Sequence, residues 1–194
     1  YGRVLTETDP DGYSSSRTWD PVGNLSSYTD RNSISTNLFY DFVDRLIEIR
    51  DPHSNSDNFI YSPAGRLAIH NNKKALNTNY YYDPAGRLDS IMDAMSYVIS
   101  YSYDPLGNRI SETDANGNTT SYMYDDLNRL INFTDALTNT VDYEYDAVWN
   151  LIEMSDALSN ITTYTYYDNN WPESITDPMG GTESYVHDGA GNLT

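Results

Sequence analysis

Residues 119–139 read TTSYMYDDLNRLINFTDALTN, and this stretch contains every local element of the chain. Tyr122 and Tyr124 lie two residues apart, which places both side chains on one face of a strand. Asp125 opens a tight turn, residues 129–134 read as a returning strand, and Asp135 opens a second turn. Since no segment between the strands is long enough for a crossover helix, the sequence predicts antiparallel hairpins.

The same pattern recurs with a period of 21 residues along the whole chain. Its clearest positions are Tyr40 and Asp41; Tyr82, Asp83, Gly86 and Leu88; Tyr103, Asp104 and Gly107; Tyr124, Asp125 and Leu130; and Tyr145, Asp146 and Leu151. We therefore predict an all-β fold in which residues 1–194 form a single array of about nine antiparallel hairpins. Because long antiparallel ribbons twist, we expect the array to coil into a spiral sheet, shell or tube. It begins and ends within a repeat, so we expect a segment of a longer chain.

The repeated side chains have structural interpretations. The Tyr and Leu columns predict packing between neighbouring hairpins, because an isolated hairpin cannot bury its apolar face. The alternative for the Tyr columns is a platform for carbohydrate. The Asp columns predict carboxylates that cap turns, with Ca²⁺ binding as the alternative. Equivalent Asp residues are two strands apart, or about 9.6 Å, which is too far to share one ion.

The composition excludes several classes of function. With 29 acidic and 11 basic side chains the net charge is −18, which argues against nucleic acid and anionic membranes as partners. The chain has no cysteine, and no apolar stretch approaches the length of a membrane span. Its three histidines fall at unrelated repeat positions, and it has neither a nucleophile elbow nor a phosphate-binding glycine loop. The sequence predicts no enzyme: no catalytic residue, no metal and no cofactor.

Two strings carry a family resemblance: residues 82–88 read YDPAGRL and residues 103–109 read YDPLGNR. They resemble the YD repeat of RHS proteins, which include bacterial insecticidal toxin complexes, RHS toxins and the animal teneurins. The resemblance implies a spiralling β-sheet that closes into a hollow shell, which in the toxins encloses a C-terminal effector. Asp177-Pro178-Met179-Gly180 resembles part of the self-cleavage motif of that family. The Asp that follows each Tyr, as at Asp125, forms a first Asp column, and a second column lies ten residues later, as at Asp135. Asp177 has the phase of this second column, so we interpret its motif as an ordinary turn.

Three functional hypotheses remain open at this stage. The first is a non-catalytic shell segment of a large secreted or cell-surface protein, acting as container or scaffold. The second is part of an extracellular filament joined end to end by β-strand pairing, and the third is a glycan-binding adhesive surface. The partners these hypotheses imply are further YD repeats of the same or identical chains, an enclosed effector, or carbohydrate.

Two further groups of residues are weaker candidates. Sequons for N-glycosylation occur about as often as chance predicts, at Asn24, Asn118, Asn132, Asn160 and Asn192. Residues that break the repeat pattern are Trp149, Tyr167, Trp171 and Pro172. The breaks are consistent with drift in a tolerant repeat or with an exposed aromatic contact site.

Overall fold

The computed structural model describes residues 5–194, and every regular element in that part of the chain is a β-strand. The first four residues of the predicted array lie outside the described residues. The strands are β1 (Thr6–Thr8), β2 (Ser14–Trp19), β3 (Leu25–Thr29), β4 (Ser35–Tyr40), β5 (Leu46–Arg50), β6 (Ser56–Tyr61), β7 (Leu67–Asn71), β8 (Asn77–Tyr82), β9 (Leu88–Met92), β10 (Val98–Tyr103), β11 (Arg109–Thr113), β12 (Thr119–Tyr124), β13 (Leu130–Thr134), β14 (Thr140–Tyr145), β15 (Leu151–Ser155), β16 (Ile161–Tyr166), β17 (Pro172–Thr176) and β18 (Thr182–Ser184).

Two compact units divide the chain, one ending at Val98 and the other comprising Ile99–Thr194. In the first unit, β1 to β9 pair in chain order and each strand is antiparallel to the next. In the second unit, β10 to β18 follow the same order and direction. The predicted all-β repeat architecture of antiparallel hairpins is confirmed.

Each hairpin has a fixed register with one irregularity. In the hairpin of β12 and β13, Tyr122 faces Phe133 and Tyr124 faces Leu130, with a β-bulge between Met123 and Tyr124. The equivalent bulge recurs in the seven other complete hairpins of this kind. A bulge bends its strand and increases the local twist. The bulge therefore adds the same bend to every repeat, and it also returns Leu130 to the face of Tyr124.

The turns share one backbone geometry. In the turn at Asp125, the N–H of Asn128 donates to the Asp125 carbonyl and the Asp125 N–H donates to the Arg129 carbonyl, both at 3.0 Å. Asn128 has a φ of 63°, in the left-handed region. This is the three-residue hairpin loop in which a type I turn is followed by a left-handed residue. Among the described turns that position holds eight glycines and ten other residues, including Thr138 and Trp149.

The two faces of each unit differ in polarity. One face carries the Tyr and Leu columns, while the other is rich in Ser, Thr and Asn, as period-2 alternation requires. Among residues 5–194 no hydrophobic side chain is fully buried. Each unit is thus a single layer, and its apolar residues are covered only by their neighbours within the same face.

Candidate functional site

Tyrosines of the aromatic face bond through their hydroxyls to the backbone of the neighbouring strand. The hydroxyl of Tyr61 donates to the Leu46 carbonyl of the preceding repeat at 2.8 Å, so the side chain joins β6 to the adjacent strand β5. The same bond, over fifteen residues, is made at Tyr40, Tyr82, Tyr124 and Tyr166. Tyr103 and Tyr145 occupy the equivalent position in β10 and β14. Where the bond forms, the polar end of the ring is used within the fold and the apolar ring surface remains outward.

A second aromatic column lies two residues before the first. The Tyr122 ring packs on Phe133 with centroids 5.7 Å apart, and Phe59 stacks on His70 at 4.9 Å. Leu130 lies directly opposite Tyr124 and Leu151 directly opposite Tyr145, while Leu88 faces Tyr82. These contacts are cross-strand pairs within single hairpins, which stabilise sheets. Packing of these columns between neighbouring hairpins stays a prediction.

The Asp columns cap the turns. The Oδ1 atom of Asp135 accepts the N–H groups of Leu137 and Asn139 at 2.8 and 2.9 Å, while its Oδ2 atom accepts the Asn139 side chain. The Asn139 amide, followed by its backbone N–H, holds the pKa of Asp135 below its ordinary value, against the opposing effect of desolvation. Each of the five highlighted first-column carboxylates likewise accepts the backbone N–H four residues later: Asp41, Asp83, Asp104, Asp125 and Asp146.

The residue that follows each first-column turn connects one repeat to the next. When it is asparagine, its side chain donates to its own cap and to the left-handed residue twenty positions later. Asn24 reaches Asp44 at 2.9 Å, and Asn150 reaches Asn170 at 3.1 Å. Asn108 reaches Asn128 in the same way. These bonds link three pairs of consecutive turns along this edge, one pair in the first unit and two in the second.

Where Arg45, Arg66 or Arg129 takes this position, the guanidinium stacks on a Tyr ring of the next repeat, and Arg129 also donates to the Asp146 carbonyl at 2.8 Å. Arg45 lies over the Tyr61 ring at 4.6 Å, and Arg66 lies over Tyr82 at 5.7 Å. For Arg45 and Arg66 the left-handed residue of the next turn is glycine, and a Cβ at Gly86 would overlap the Arg66 guanidinium. For Arg129 that residue is Trp149, whose ring lies 5.5 Å from the guanidinium. At this edge, the residue that follows the turn of one repeat therefore contacts the left-handed residue in the turn of the next repeat.

A match between the amino-acid sequence and a protein-family model supports the fold. The family model described as "Teneurin YD-shell" matches residues 2–140, which is more than two thirds of the chain. The chain belongs to the Teneurin YD-shell family. No curated protein matches the sequence.

Solved structures show the same fold at low identity. The YD-shell chain is 21% identical to TcdB2-TccC3 without its hypervariable C-terminal region, with a TM-score of 0.68 over 96% of this chain and 12% of that one. The Photorhabdus luminescens Tc holotoxin pore with a TccC3 mutation is 20% identical, with a TM-score of 0.67 over 96% of this chain and 12% of that one. TcdB2-TccC3-Cdc42 is 18% identical, with a TM-score of 0.63 over 96% of this chain and 13% of that one. The YD-shell chain therefore spans about an eighth of the length of these structures.

The turn that resembles a cleavage motif has the ordinary YD-shell geometry. Asp177 Oδ1 accepts the N–H groups of Met179 and Gly181, each at 2.8 Å, as the other caps do. Within the described residues, no three His, Cys, Asp or Glu side chains converge as metal ligands. The part of the chain from Leu5 onward also contains no helix able to cross a membrane.

The five sequon amides are all engaged in the YD-shell turns or strands. Asn132 donates to Asp142 across β13 and β14, and the other four donate to the Asp that opens their own turn: Asn24, Asn118, Asn160 and Asn192. A glycan on any of these nitrogens would disturb a bond to a carboxylate. Glycosylation at these sites remains a weak prediction.

Sequence reasoning missed both connections between YD-shell repeats: the Tyr hydroxyl bonds and the coupled turn edge. The second left a signal in the sequence. Asn24 is followed twenty residues later by Asp44, whereas Arg45 and Arg66 are followed by Gly65 and Gly86. A search for paired positions at a spacing of twenty would have found this correlation.

Proposed function

We propose that this YD-shell chain is a structural, non-catalytic segment of a large secreted or cell-surface protein, where its repeats form part of a container or scaffold. The observation that carries the proposal is the one-layer construction. Within each unit, successive strands pair, and Tyr hydroxyl bonds at five positions and Asn bonds between three pairs of turns add links between repeats. Among residues 5–194 no side chain is buried beneath a second layer. A wall needs continuity along its length and two accessible faces, and this construction provides both.

The partner that best fits a container is an enclosed polypeptide effector, together with further YD repeats. The similarity to the TcdB2-TccC3 structures supports this class of partner through the shared fold. The extracellular location rests on the same family relationship.

Electron microscopy of the intact protein that carries this sequence tests the proposal. We expect a hollow particle with these repeats in its wall. Unlimited helical fibres would instead support the filament hypothesis. A solid particle, in which a second layer packs over the Tyr face, would contradict the container role.

The glycan-binding hypothesis has weaker support. At five positions of the Tyr column the hydroxyl that would bond to a sugar donates to a backbone carbonyl. A glycan array probed with the chain and with its Tyr61→Phe variant would separate the possibilities. Binding that depends on this hydroxyl would favour an adhesive surface over a wall.

A further inference from the structure

Three departures from the repeat pattern meet at one place in the second unit. Tyr167 stands where most other repeats have a capping Asp, and Trp171 stands where they have Asn or Arg. His187 takes the place of the first-column tyrosine. The His187 ring lies 6.1 Å from that of Tyr167 and 5.3 Å from that of Trp171. The Tyr167 hydroxyl donates to the Tyr185 carbonyl at 2.9 Å, which fixes its ring in position.

These rings line an open cleft of about 480 Å³, whose lining residues are Tyr167, Asp168, Asn169, Trp171, Val186 and His187. Tyr167 is 38% exposed, so ring surface is available to a ligand. The side chain of Asp168 supplies a carboxylate at the same cleft. The Nδ1 atom of His187 has no hydrogen-bond partner among the described residues. The cleft therefore offers aromatic surface and a negative charge, while the unpartnered His187 nitrogen is buried behind it.

The surrounding charge selects the sign of a ligand. Residues 130–194 contain eleven acidic residues and neither lysine nor arginine. A field of one sign attracts ions of the opposite sign. This part of the sequence cannot itself supply a Lys or Arg side chain to the cleft.

The fold already shows which cation its aromatic positions accept. Guanidinium groups lie over rings elsewhere in the chain: Arg31 over Tyr13 at 4.6 Å, Arg50 over Phe39 at 4.7 Å and Arg129 over Tyr145 at 5.0 Å. A planar guanidinium stacks on aromatic faces and also donates hydrogen bonds to carboxylates. In the repeat of β16 and β17, the turn position that holds Arg45 or Arg129 in other repeats holds Trp171. The ring cluster there lacks an internal guanidinium.

We propose that this cleft binds a guanidinium group supplied from outside residues 130–194, with Tyr167 and Trp171 as the aromatic walls and Asp168 as the counter-charge. The proposal adds a recognition site to the container role and does not depend on it. The group could belong to an arginine side chain of a polypeptide or to a free guanidinium compound, and both share the same chemistry.

An NMR titration of the 194-residue chain tests the site directly. We expect capped arginine to shift the Trp171 indole and His187 ring resonances in a saturable way, with a dissociation constant of about 1 to 10 mM. Capped citrulline, a neutral isostere, should bind at least about tenfold more weakly. Tighter binding of capped arginine than of methylguanidinium would identify a polypeptide source, and the reverse order a free compound. Equal binding of arginine and citrulline, or no saturable shift, would overturn the proposal.

A matched variant separates binding from folding. Asn72 shows that asparagine can cap such a turn, because its Oδ1 accepts the N–H groups of Lys74 and Leu76. Tyr167→Asn should therefore keep the fold, gain a turn cap and weaken arginine binding by about 5- to 20-fold. Asp168→Asn should weaken it by about 2- to 5-fold, whereas Trp149→Phe at the neighbouring turn should leave it unchanged. Unaltered binding in both folded cleft variants would overturn the proposal.

Discussion

Alanine should destabilise the chain more at Gly86 than at Gly117, although the two glycines hold the same turn position with φ values of 87° and 85°. No atom lies within 4 Å of a Cβ built on Gly117, whereas one built on Gly86 would overlap the Arg66 guanidinium. The difference between the two substitutions therefore isolates the contact between neighbouring turns.

The expected magnitudes follow from two costs. A left-handed alanine costs about 1 to 2 kcal/mol, of which about 0.4 to 1 kcal/mol is offset by the smaller entropy of the unfolded chain. Gly117→Ala should thus lower the free energy of unfolding by about 0.5 to 1 kcal/mol. At Gly86 the methyl group also displaces Arg66 from the Tyr82 ring, 5.7 Å away. That contact adds about 0.5 to 1 kcal/mol to the cost.

Urea unfolding of the 194-residue chain, followed by circular dichroism, measures both values. The control is an Arg66→Ala background, in which the cost of Gly86→Ala should fall to that of Gly117→Ala. The reasoning is refuted if the two alanine variants are equally stable in the natural background, or if their difference survives removal of Arg66.

Further expectations concern single bonds, strain and pH. Tyr61→Phe removes the hydroxyl bond to Leu46 and should lower the free energy of unfolding by about 1 kcal/mol. Urea melts measure this change, and Tyr97→Phe, outside that column, is the control. Thr138 is β-branched and has a φ of 68°, which strains the turn. Thr138→Gly should therefore raise the melting temperature, by an amount equivalent to about 0.5 to 1.5 kcal/mol in the free energy of unfolding. A lower melting temperature would mean that the turn is not strained. The pKa values of Asp135, Asp156 and Asp188 are lowered chiefly by side-chain hydrogen bonds from Asn139, Asn160 and Asn192. The unfolded chain then binds more protons, so stability is complete above the ordinary Asp pKa of about 3.9 and is lost as the pH falls below it. Thermal melts between about pH 2 and 7 in about 0.5 M salt, which screens the long-range repulsion, should show this loss, and Asp135→Asn should reduce it.

The strands and turns could be predicted from the sequence because their signals are local and repeated. Tyr122, Tyr124 and Asp125 determine the face and the end of β12, and the same spacing recurs in most repeats. The bulge between Met123 and Tyr124 could not be predicted, because it depends on how two strands of unequal length meet. That residues 5–194 contain no buried core was also not evident from the sequence, since a Tyr and Leu stripe reads the same in a single sheet and in a sandwich.

The candidate sites were predictable to different degrees. Asp caps follow from the chemistry of Asx turns, so Asp125 and Asp135 could be assigned from sequence. Trp171 and Tyr167 were recognised as departures from the pattern, but their meeting with His187 depends on contacts between adjacent repeats. The sequence places His187 twenty residues after Tyr167, and only the fold brings the two rings within 6.1 Å.

The fixed period of the one-layer sheet determines which changes of length the chain tolerates. Deleting residues 125–145, one full period, joins Tyr124 to Asp146 and keeps every later tyrosine on its original face. Deleting one residue fewer or more would move each later side chain of the affected strand to the opposite face, because the side-chain period of a strand is two. Such a wall can therefore grow or shrink by whole repeats, while a single-residue insertion within a strand is more damaging than the loss of an entire hairpin.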